Sequence, residues 1–127
     1  MSVSEVEFIE DSIEPDDFVL QWLLPSERWH RVDGPAIIAR RYGAYGESYF
    51  QNGQQHSDDG PAVFEFHPNL ERLKLSWYRH GEHHRSDGPA VIEYDFNGTA
   101  IVVEWWVDGR QIKRVERPSD TAPSDTV

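Results

Sequence analysis

The sequence contains no cysteine, and no part of it forms a long hydrophobic run. The lack of cysteine excludes a disulfide framework and a thiolate metal site. No stretch approaches the roughly 18 consecutive apolar residues that a membrane-spanning helix needs. The acidic N-terminal region has no apolar run preceded by positive charge, so we do not expect a signal peptide. These absences favour a cytoplasmic protein that binds no membrane.

Positive charge is missing from the first 27 residues, which carry eight carboxylates and no Lys or Arg. Residues 28–117 balance to a net charge of −1, although the whole chain carries −11. A nucleic-acid-binding surface needs a basic stripe, so this distribution argues against direct contact with nucleic acid. We call residues 1–21 the acidic leader and expect it to attract a basic partner. Its carboxylates are Glu5, Glu7, Glu10, Asp11, Glu14, Asp16 and Asp17.

The most informative pattern is a motif of histidine followed by Asp-Gly-Pro-Ala, which occurs three times. An aromatic pair followed by a turn recurs with it, in "YFQNG", "WYRHG" and "WWVDG", at a period of 28 residues. Agreement between motif and period indicates an internal repeat. The repeated positions are His30, Asp33, Gly34 and Pro35, then His56, Asp59, Gly60 and Pro61, then His84, Asp87, Gly88 and Pro89.

Each period contains two runs of β-branched and aromatic residues bounded by turn dipeptides such as Asn-Gly and Asp-Gly. This pattern is typical of β-hairpins. We therefore predict an all-β fold: a single meandering antiparallel sheet of about three 28-residue hairpin repeats with a small N-terminal cap. Residues 1–21 would form the cap and entry strand, beginning with a strand or a short helix. Residues 22–114 would form the repeat domain, and residues 115–127 a disordered tail.

The repeat resembles MORN-type repeats, in which an aromatic residue, a glycine and a histidine recur along an array of β-hairpins. Here Phe50 and Tyr78 stand three residues before Gly53 and Gly81, and His56 and His84 stand three residues after those glycines. The chain departs from the MORN pattern after the histidine, where Asp-Gly-Pro-Ala replaces Gly-x-Gly. The resemblance implies a scaffold for interaction and assembly. Similar Asp-Gly-Pro-Ala repeats in phage and large-virus proteins suggest a phage or bacterial origin.

The histidines and aspartates of the motif allow a catalytic hypothesis, because a carboxylate beside histidine supports acid–base chemistry. Catalysis needs one asymmetric site, however, and three equivalent copies favour a structural motif. In that interpretation Asp caps its own turn and His holds one unit to the next. His80, His83 and His84 form the cluster "HGEHH", which we interpret as a chance cluster without metal. We therefore expect no catalytic residue, no metal and no cofactor.

The adjacent aromatic pairs form two columns, and neighbouring residues of a strand point to opposite faces of the sheet. One column would then be core and the other a recognition surface or, if the sheet is covered, also core. The candidate partner-binding aromatics are Tyr49, Trp77 and Trp105 of the first column and Phe50, Tyr78 and Trp106 of the second.

The function we expect is non-enzymatic binding of another protein through an aromatic sheet face and the acidic leader. A phage or bacterial inhibitor or immunity protein would act in this way. The alternatives are a DNA mimic that inhibits a nucleic-acid-binding protein and a small hydrolase with a His–Asp dyad. The sequence leaves open whether the protein is a monomer or a dimer.

Overall fold

The fold, described by a computed structural model for residues 4–8 and 16–117, is all-β. Nine strands form one antiparallel sheet in which each strand pairs with its neighbours in chain order. The prediction of a meandering antiparallel sheet is confirmed. The nine strands are β1 (Ser4–Phe8), β2 (Phe18–Leu23), β3 (Ile37–Arg41), β4 (Ala44–Ser48), β7 (Val63–His67), β8 (Arg72–Ser76), β11 (Val91–Asp95), β12 (Ala100–Val107) and β13 (Arg110–Glu116).

Two short hairpins form separate two-stranded sheets beside the large one. They consist of β5 (Phe50–Gln51) with β6 (Gln54–Gln55), and β9 (Tyr78–Arg79) with β10 (Glu82–His83). Their turns, like two turns of the large sheet, place two consecutive residues at positive φ, the geometry of a type I′ turn. Glycine takes the second position each time, because it adopts this conformation without strain. The four turns are Tyr42–Gly43, Asn52–Gly53, His80–Gly81 and Asp108–Gly109.

The chain leaves the large sheet at the aromatic pairs. Strand β4 ends at Ser48 and β5 begins at Phe50, so Tyr49 lies at the break. Trp77 lies at the corresponding break between β8 and β9. Strand β12 runs through both members of its pair, but its register shifts between Trp105 and Trp106. The two aromatic columns therefore do not occupy the two faces of one continuous strand, as the sequence led us to expect.

One face of the large sheet carries most of the large apolar side chains, because residues two apart along a strand share a face. We call it the aromatic face. Its central row follows the strand register, and a second row lies further from the short hairpins. The central row is Leu20, Ile38, Glu47, Phe64, Leu75, Ile92 and Val103, and the second row is Phe18, Arg40, Tyr45, Phe66, Leu73 and Tyr94.

The opposite face carries smaller and charged side chains, including Gly46, Glu65 and Lys74. A cavity of about 410 Å³ on this side is lined by Val63 and Ser76 of the sheet and by Tyr78 of a short hairpin. The short hairpins therefore lie on the side of the opposite face. The residues of the two rows on the aromatic face are each at least partly exposed.

The most buried residues lie along the edge of the large sheet next to the Asp-Gly-Pro-Ala loops and the short hairpins. The three alanines of the Asp-Gly-Pro-Ala motifs, Ala36, Ala62 and Ala90, are each 0% exposed. Each donates its backbone N–H, over 2.8 Å, to a carbonyl in the strand that follows it in the sheet order. Phe50, Val63, Val91, Ile101 and Leu24 are also buried. The motif thus specifies a small side chain at a position with no room for a larger one.

The ends of the chain differ in part from the predicted boundaries. Strand β1 pairs with β2, so the start of the predicted cap is a strand. Strand β13 reaches Glu116, two residues beyond the predicted end of the repeat domain at residue 114. Most of the predicted disordered tail, residues 115–127, lies outside the described residues. Within the described ranges, no helix combines the length and hydropathy needed to cross a membrane.

Candidate functional site

The three Asp-Gly-Pro-Ala motifs form loops at one edge of the aromatic face. We call residues 30–36, 56–62 and 84–90 the first, second and third corners. In each corner the histidine Nδ1 accepts a backbone N–H from the turn of the following hairpin, at a residue of positive φ. The three bonds run from Asn52 to His30 (3.0 Å), from His80 to His56 (3.0 Å) and from Asp108 to His84 (2.9 Å). Each histidine therefore joins one hairpin to the next.

An Nδ1 that accepts a hydrogen bond carries no proton, so the neutral ring holds its proton at Nε2. In the second corner this Nε2–H lies 2.8 Å from Asp58 Oδ1. Asp58 is not the aspartate of the alternative catalytic hypothesis, which is Asp59. Among the described residues, none of the three corner histidines forms a hydrogen bond with the Asp of its own Asp-Gly-Pro-Ala motif, as that hypothesis requires.

The aspartates of the first and third corners bind arginine instead of capping the turn backbone. Arg31 lies 3.8 Å above the ring of Trp22, and its Nε donates to Asp33 Oδ1 at 3.2 Å. Its Nη1 donates to the carbonyl of Pro35 at 3.2 Å. The guanidinium is thus held by an aromatic ring, a carboxylate and a backbone carbonyl, a combination of cation–π and charge-assisted hydrogen bonds.

The third corner repeats this arrangement with corresponding residues. Arg85 lies 4.1 Å above the ring of Trp77 and donates to Asp87 and to the Pro89 carbonyl, both at 3.1 Å. The second corner has Ser57 at the arginine position. A cavity of about 650 Å³ lies there, lined by residues that include Tyr49, Phe64 and Asp59. The corners therefore differ in whether a guanidinium covers the aromatic ring.

The first aromatic column lies at the edge of the aromatic face. The backbone N–H groups of Trp22, Tyr49 and Trp77 continue the sheet hydrogen bonds by one residue, to the alanine carbonyls of the corners. Trp105 lies in β12, and Lys113 Nζ lies 4.9 Å from its ring centroid. Among these rings, Tyr49 is the one beside the second-corner cavity.

The second aromatic column packs inside the short hairpins and the end of β12. Phe50 is 9% exposed, and its ring centroid lies 5.1 Å from that of Trp29. Tyr78 and Trp106 flank the imidazole of His83 at 4.2 and 5.0 Å. These three aromatic residues of the predicted partner-binding set therefore contribute to packing and do not lie on the aromatic face.

The three histidines of "HGEHH" have different neighbours. His80 packs on His56 with ring centroids 4.4 Å apart, His84 accepts the Asp108 N–H, and His83 lies between the two aromatic rings. Burial lowers the pKa of His83 below its usual value. In the part of the chain that the structure describes, no three histidine or carboxylate side chains lie close enough to hold a metal ion.

The acidic leader is described only in part. Glu5 and Glu7 lie in β1, and Asp16 is exposed. Asp17 is 7% exposed, and its Oδ2 accepts the backbone N–H of Tyr42 at 3.3 Å. Its assignment to an exposed acidic surface was therefore wrong, because the carboxylate is used to hold a turn. The remaining carboxylates of the predicted set, Glu10, Asp11 and Glu14, lie outside the described residues.

The sequence interpretation missed the apolar rows of the aromatic face. Phe64, Leu75 and Ile92 are partly exposed, and Phe66 is 36% exposed. The signal was present, because these residues alternate with polar ones along each strand, but alternation identified strands without showing which face remained uncovered. Glu47 is an acid within the central row, between Ile38 and Phe64. It accepts a hydrogen bond from the Tyr45 hydroxyl, which raises the pKa of Tyr45 to about 12.

Comparison with protein-family models, with curated proteins and with solved structures finds no match to this chain. The functional interpretation therefore rests on the geometry of the aromatic face and the corners.

Proposed function

We propose that the protein is a non-enzymatic binding module, built from three hairpin units of about 28 residues, that binds another protein through the aromatic face. The observation that carries this proposal is the partly exposed apolar surface of the large sheet. Large apolar side chains on seven strands share this face, and among them Phe64, Phe66, Leu75 and Ile92 are partly exposed. Extended apolar patches on a protein surface mark interaction sites.

The size of the face suits a protein partner. Seven strands about 4.8 Å apart span about 30 Å. The central row, the second row and the first aromatic column at the edge together cover about 20 Å along the strands. The resulting area of about 600 Å² is close to the roughly 800 Å² that each partner buries in a standard interface. A surface of this extent fits a folded protein better than it fits a small molecule, which needs a concave pocket.

The charge around the face indicates what the partner carries. Asp58 and Asp59 present carboxylates at the second corner, whereas Asp33 and Asp87 are already paired with Arg31 and Arg85. The acidic leader, which carries most of the net charge of −11, joins the large sheet through β1. We therefore expect a partner with an apolar centre bordered by Arg and Lys. By covering that surface the protein would act as an inhibitor or immunity protein does.

The resemblance to MORN-type arrays supports a binding role, and the recurring corners support a repeated unit. The hydrolase alternative has less support, because the corner histidines use Nδ1 to accept backbone N–H groups. A histidine held in this way is not free to act as a base through that nitrogen.

Two double variants in β7 test the proposal with matched controls, since residues alternate between faces along this strand. Phe64→Gln with Phe66→Gln removes two rings from the aromatic face, and Glu65→Gln with His67→Gln changes the opposite face. The full-length protein would be biotinylated and used to capture partners from its native host, with circular dichroism to show that both variants are folded. We expect a stoichiometric partner that the wild type and the Glu65/His67 variant retain and the Phe64/Phe66 variant loses.

Analytical ultracentrifugation of the same three proteins tests whether a second copy of this chain occupies the aromatic face. We expect a monomeric wild type. A wild-type dimer that the Phe64/Phe66 variant converts to a monomer would assign the face to a second copy of this chain and overturn the proposal of a different partner. Equal capture by both double variants would also contradict it.

A further inference from the structure

The second corner contains every partner that holds arginine in the other two corners, but it lacks the arginine. Ser57 takes the place of Arg31 and Arg85. Tyr49 takes the place of Trp22 and Trp77, and Asp59 and Pro61 correspond to the aspartates and prolines that accept the guanidinium bonds. Among the described residues, neither the Asp59 carboxylate nor the Pro61 carbonyl has a hydrogen-bond partner.

The glycines of the corners show that the space for a guanidinium is open. A Cβ added to Gly34 would lie 2.9 Å from the guanidinium carbon of Arg31, and one added to Gly88 would lie 3.0 Å from that of Arg85. A Cβ added to Gly60 would meet no atom within 4 Å. The position that a guanidinium fills beside two glycines is therefore empty beside the third, where the cavity of about 650 Å³ is found.

Two carboxylates at this cavity replace uncharged residues of the other units, which favours binding of a cation. Glu47 occupies a position that is Leu or Val in the corresponding strands, and Asp58 replaces Val32 and Ser86. Glu47 has the Tyr45 hydroxyl as partner and Asp58 has His56 Nε2, so each carboxylate keeps further acceptor capacity. Arg31 also lines the cavity, but Trp22, Asp33 and Pro35 hold its guanidinium.

We propose that the second corner is a binding site for a guanidinium, which an arginine side chain of the partner protein supplies. The inference rests on the proposed protein-binding function and adds to it the residue that the partner inserts. The arginine would stack on Tyr49, pair with Asp59 and donate to the Pro61 carbonyl, as Arg31 and Arg85 do in their own corners. Its position beside Phe64 places this contact at the edge of the aromatic face.

Arginine suits the site better than lysine because the acceptors form a fork. Both occupied corners use Nε for the carboxylate and Nη1 for the carbonyl while the planar group covers the ring. An ammonium offers its donors from a single nitrogen and stacks less well on an aromatic face. The loss of one such contact lowers affinity about tenfold.

The probe for the site is N-acetyl-arginine-N′-methylamide, titrated into the ¹⁵N-labelled full-length protein and followed by NMR. The lysine analogue serves as the control ligand. We expect the arginine probe to shift the amide signals of Tyr49, Gly60 and Asp59 in a saturable way, and the lysine probe to bind about tenfold more weakly. Equal binding of both probes, or shifts spread evenly over the acidic surface, would overturn the proposal.

Two variants with the same added charge test whether the arginine probe binds at the second corner. Ser57→Arg supplies the missing side chain from the chain itself and is expected to abolish the shifts at Gly60. Asn97→Arg places the same charge at an exposed position of the turn between β11 and β12, at the other end of the strands from the corners, and is expected to leave binding within about twofold of the wild type. Equal loss in the two variants would show a general effect of charge and contradict the proposed site.

The reverse variant creates a second site. Arg85→Ser exposes Trp77, Asp87 and the Pro89 carbonyl, and we expect the arginine probe then to shift Gly88 as well as Gly60. If Gly88 does not respond while the variant remains folded, the corner residues are not sufficient to bind a guanidinium and the proposal fails.

These measurements need no partner protein, so they separate the inference from the proposed function. Binding of the arginine probe without capture of any partner through the aromatic face would keep the site and remove the proposed function. A partner captured through the aromatic face by both the wild type and Ser57→Arg, with no response to the probe, would keep the function and remove the site.

Discussion

Removal of the His56 side chain is expected to destabilise the protein through one backbone hydrogen bond. His56 is 5% exposed, and its Nδ1 accepts the N–H of His80 at 3.0 Å. In His56→Ala that N–H loses its acceptor, which costs about 1–3 kcal/mol for a donor shielded from water. The contact with Asp58 adds at most about 1 kcal/mol, because the Asp58 side chain is 76% exposed. The expected loss in the free energy of unfolding is therefore about 1–4 kcal/mol.

Unfolding in urea, followed by tryptophan fluorescence, measures this loss, and a 3 kcal/mol change would lower Tm by about 12 °C in a domain of this size. His56→Asn keeps an acceptor near the place of Nδ1 and should recover about 1 kcal/mol relative to alanine. His67→Ala is the control, because His67 has an ion-pair contact with Glu65 at 3.5 Å and a side chain that is 36% exposed. If His56→Ala costs no more than His67→Ala, the link between hairpins does not stabilise the fold.

Two further predictions concern the core and the dependence on pH. Ala62→Leu should destabilise by about 1–3 kcal/mol in the same urea assay, because Ala62 is 0% exposed and a larger side chain has no space; an unchanged midpoint would show that the core beneath the corner is loose. The bond to Glu47 raises the pKa of Tyr45 to about 12, above the ordinary value of about 10, so the unfolded chain releases this proton first as pH rises. The contribution of Tyr45 is therefore present below pH 10 and lost between about pH 10 and 12, and unfolding curves of Tyr45→Phe should lack that part of the decline; an identical decline in the variant would contradict the assignment.

The sequence predicted those parts of the fold that depend on local chemistry. Asn52–Gly53 and Asp108–Gly109 identify type I′ turns because glycine adopts positive φ without strain. Alternation of apolar and polar residues identified the strands, and the spacing of the motifs predicted their order in the sheet. These features depend on a few neighbouring residues, so one sequence is sufficient to find them.

The parts that were missed depend on contacts between separated residues. The breaks at Tyr49 and Trp77 arise because the chain leaves the large sheet to form a short hairpin, and the continuous apolar pattern conceals them. The burial of Asp17 depends on a turn 25 residues later. The arginine arrangement had a visible signal, since Arg follows the histidine in two of the three motifs, but the absence of arginine in the third acquires meaning only beside the geometry of the other two.

The order of strands in the large sheet has a consequence for how the protein folds. Paired strands of the large sheet are joined either by a turn or by a loop no longer than residues 49–62 or 77–90, so no pairing needs a distant part of the chain. Closing a short loop costs little entropy, and chains whose contacts are local fold faster than most β proteins of their size. Folding can therefore begin at any hairpin and extend in both directions, with each corner histidine making the next addition less reversible.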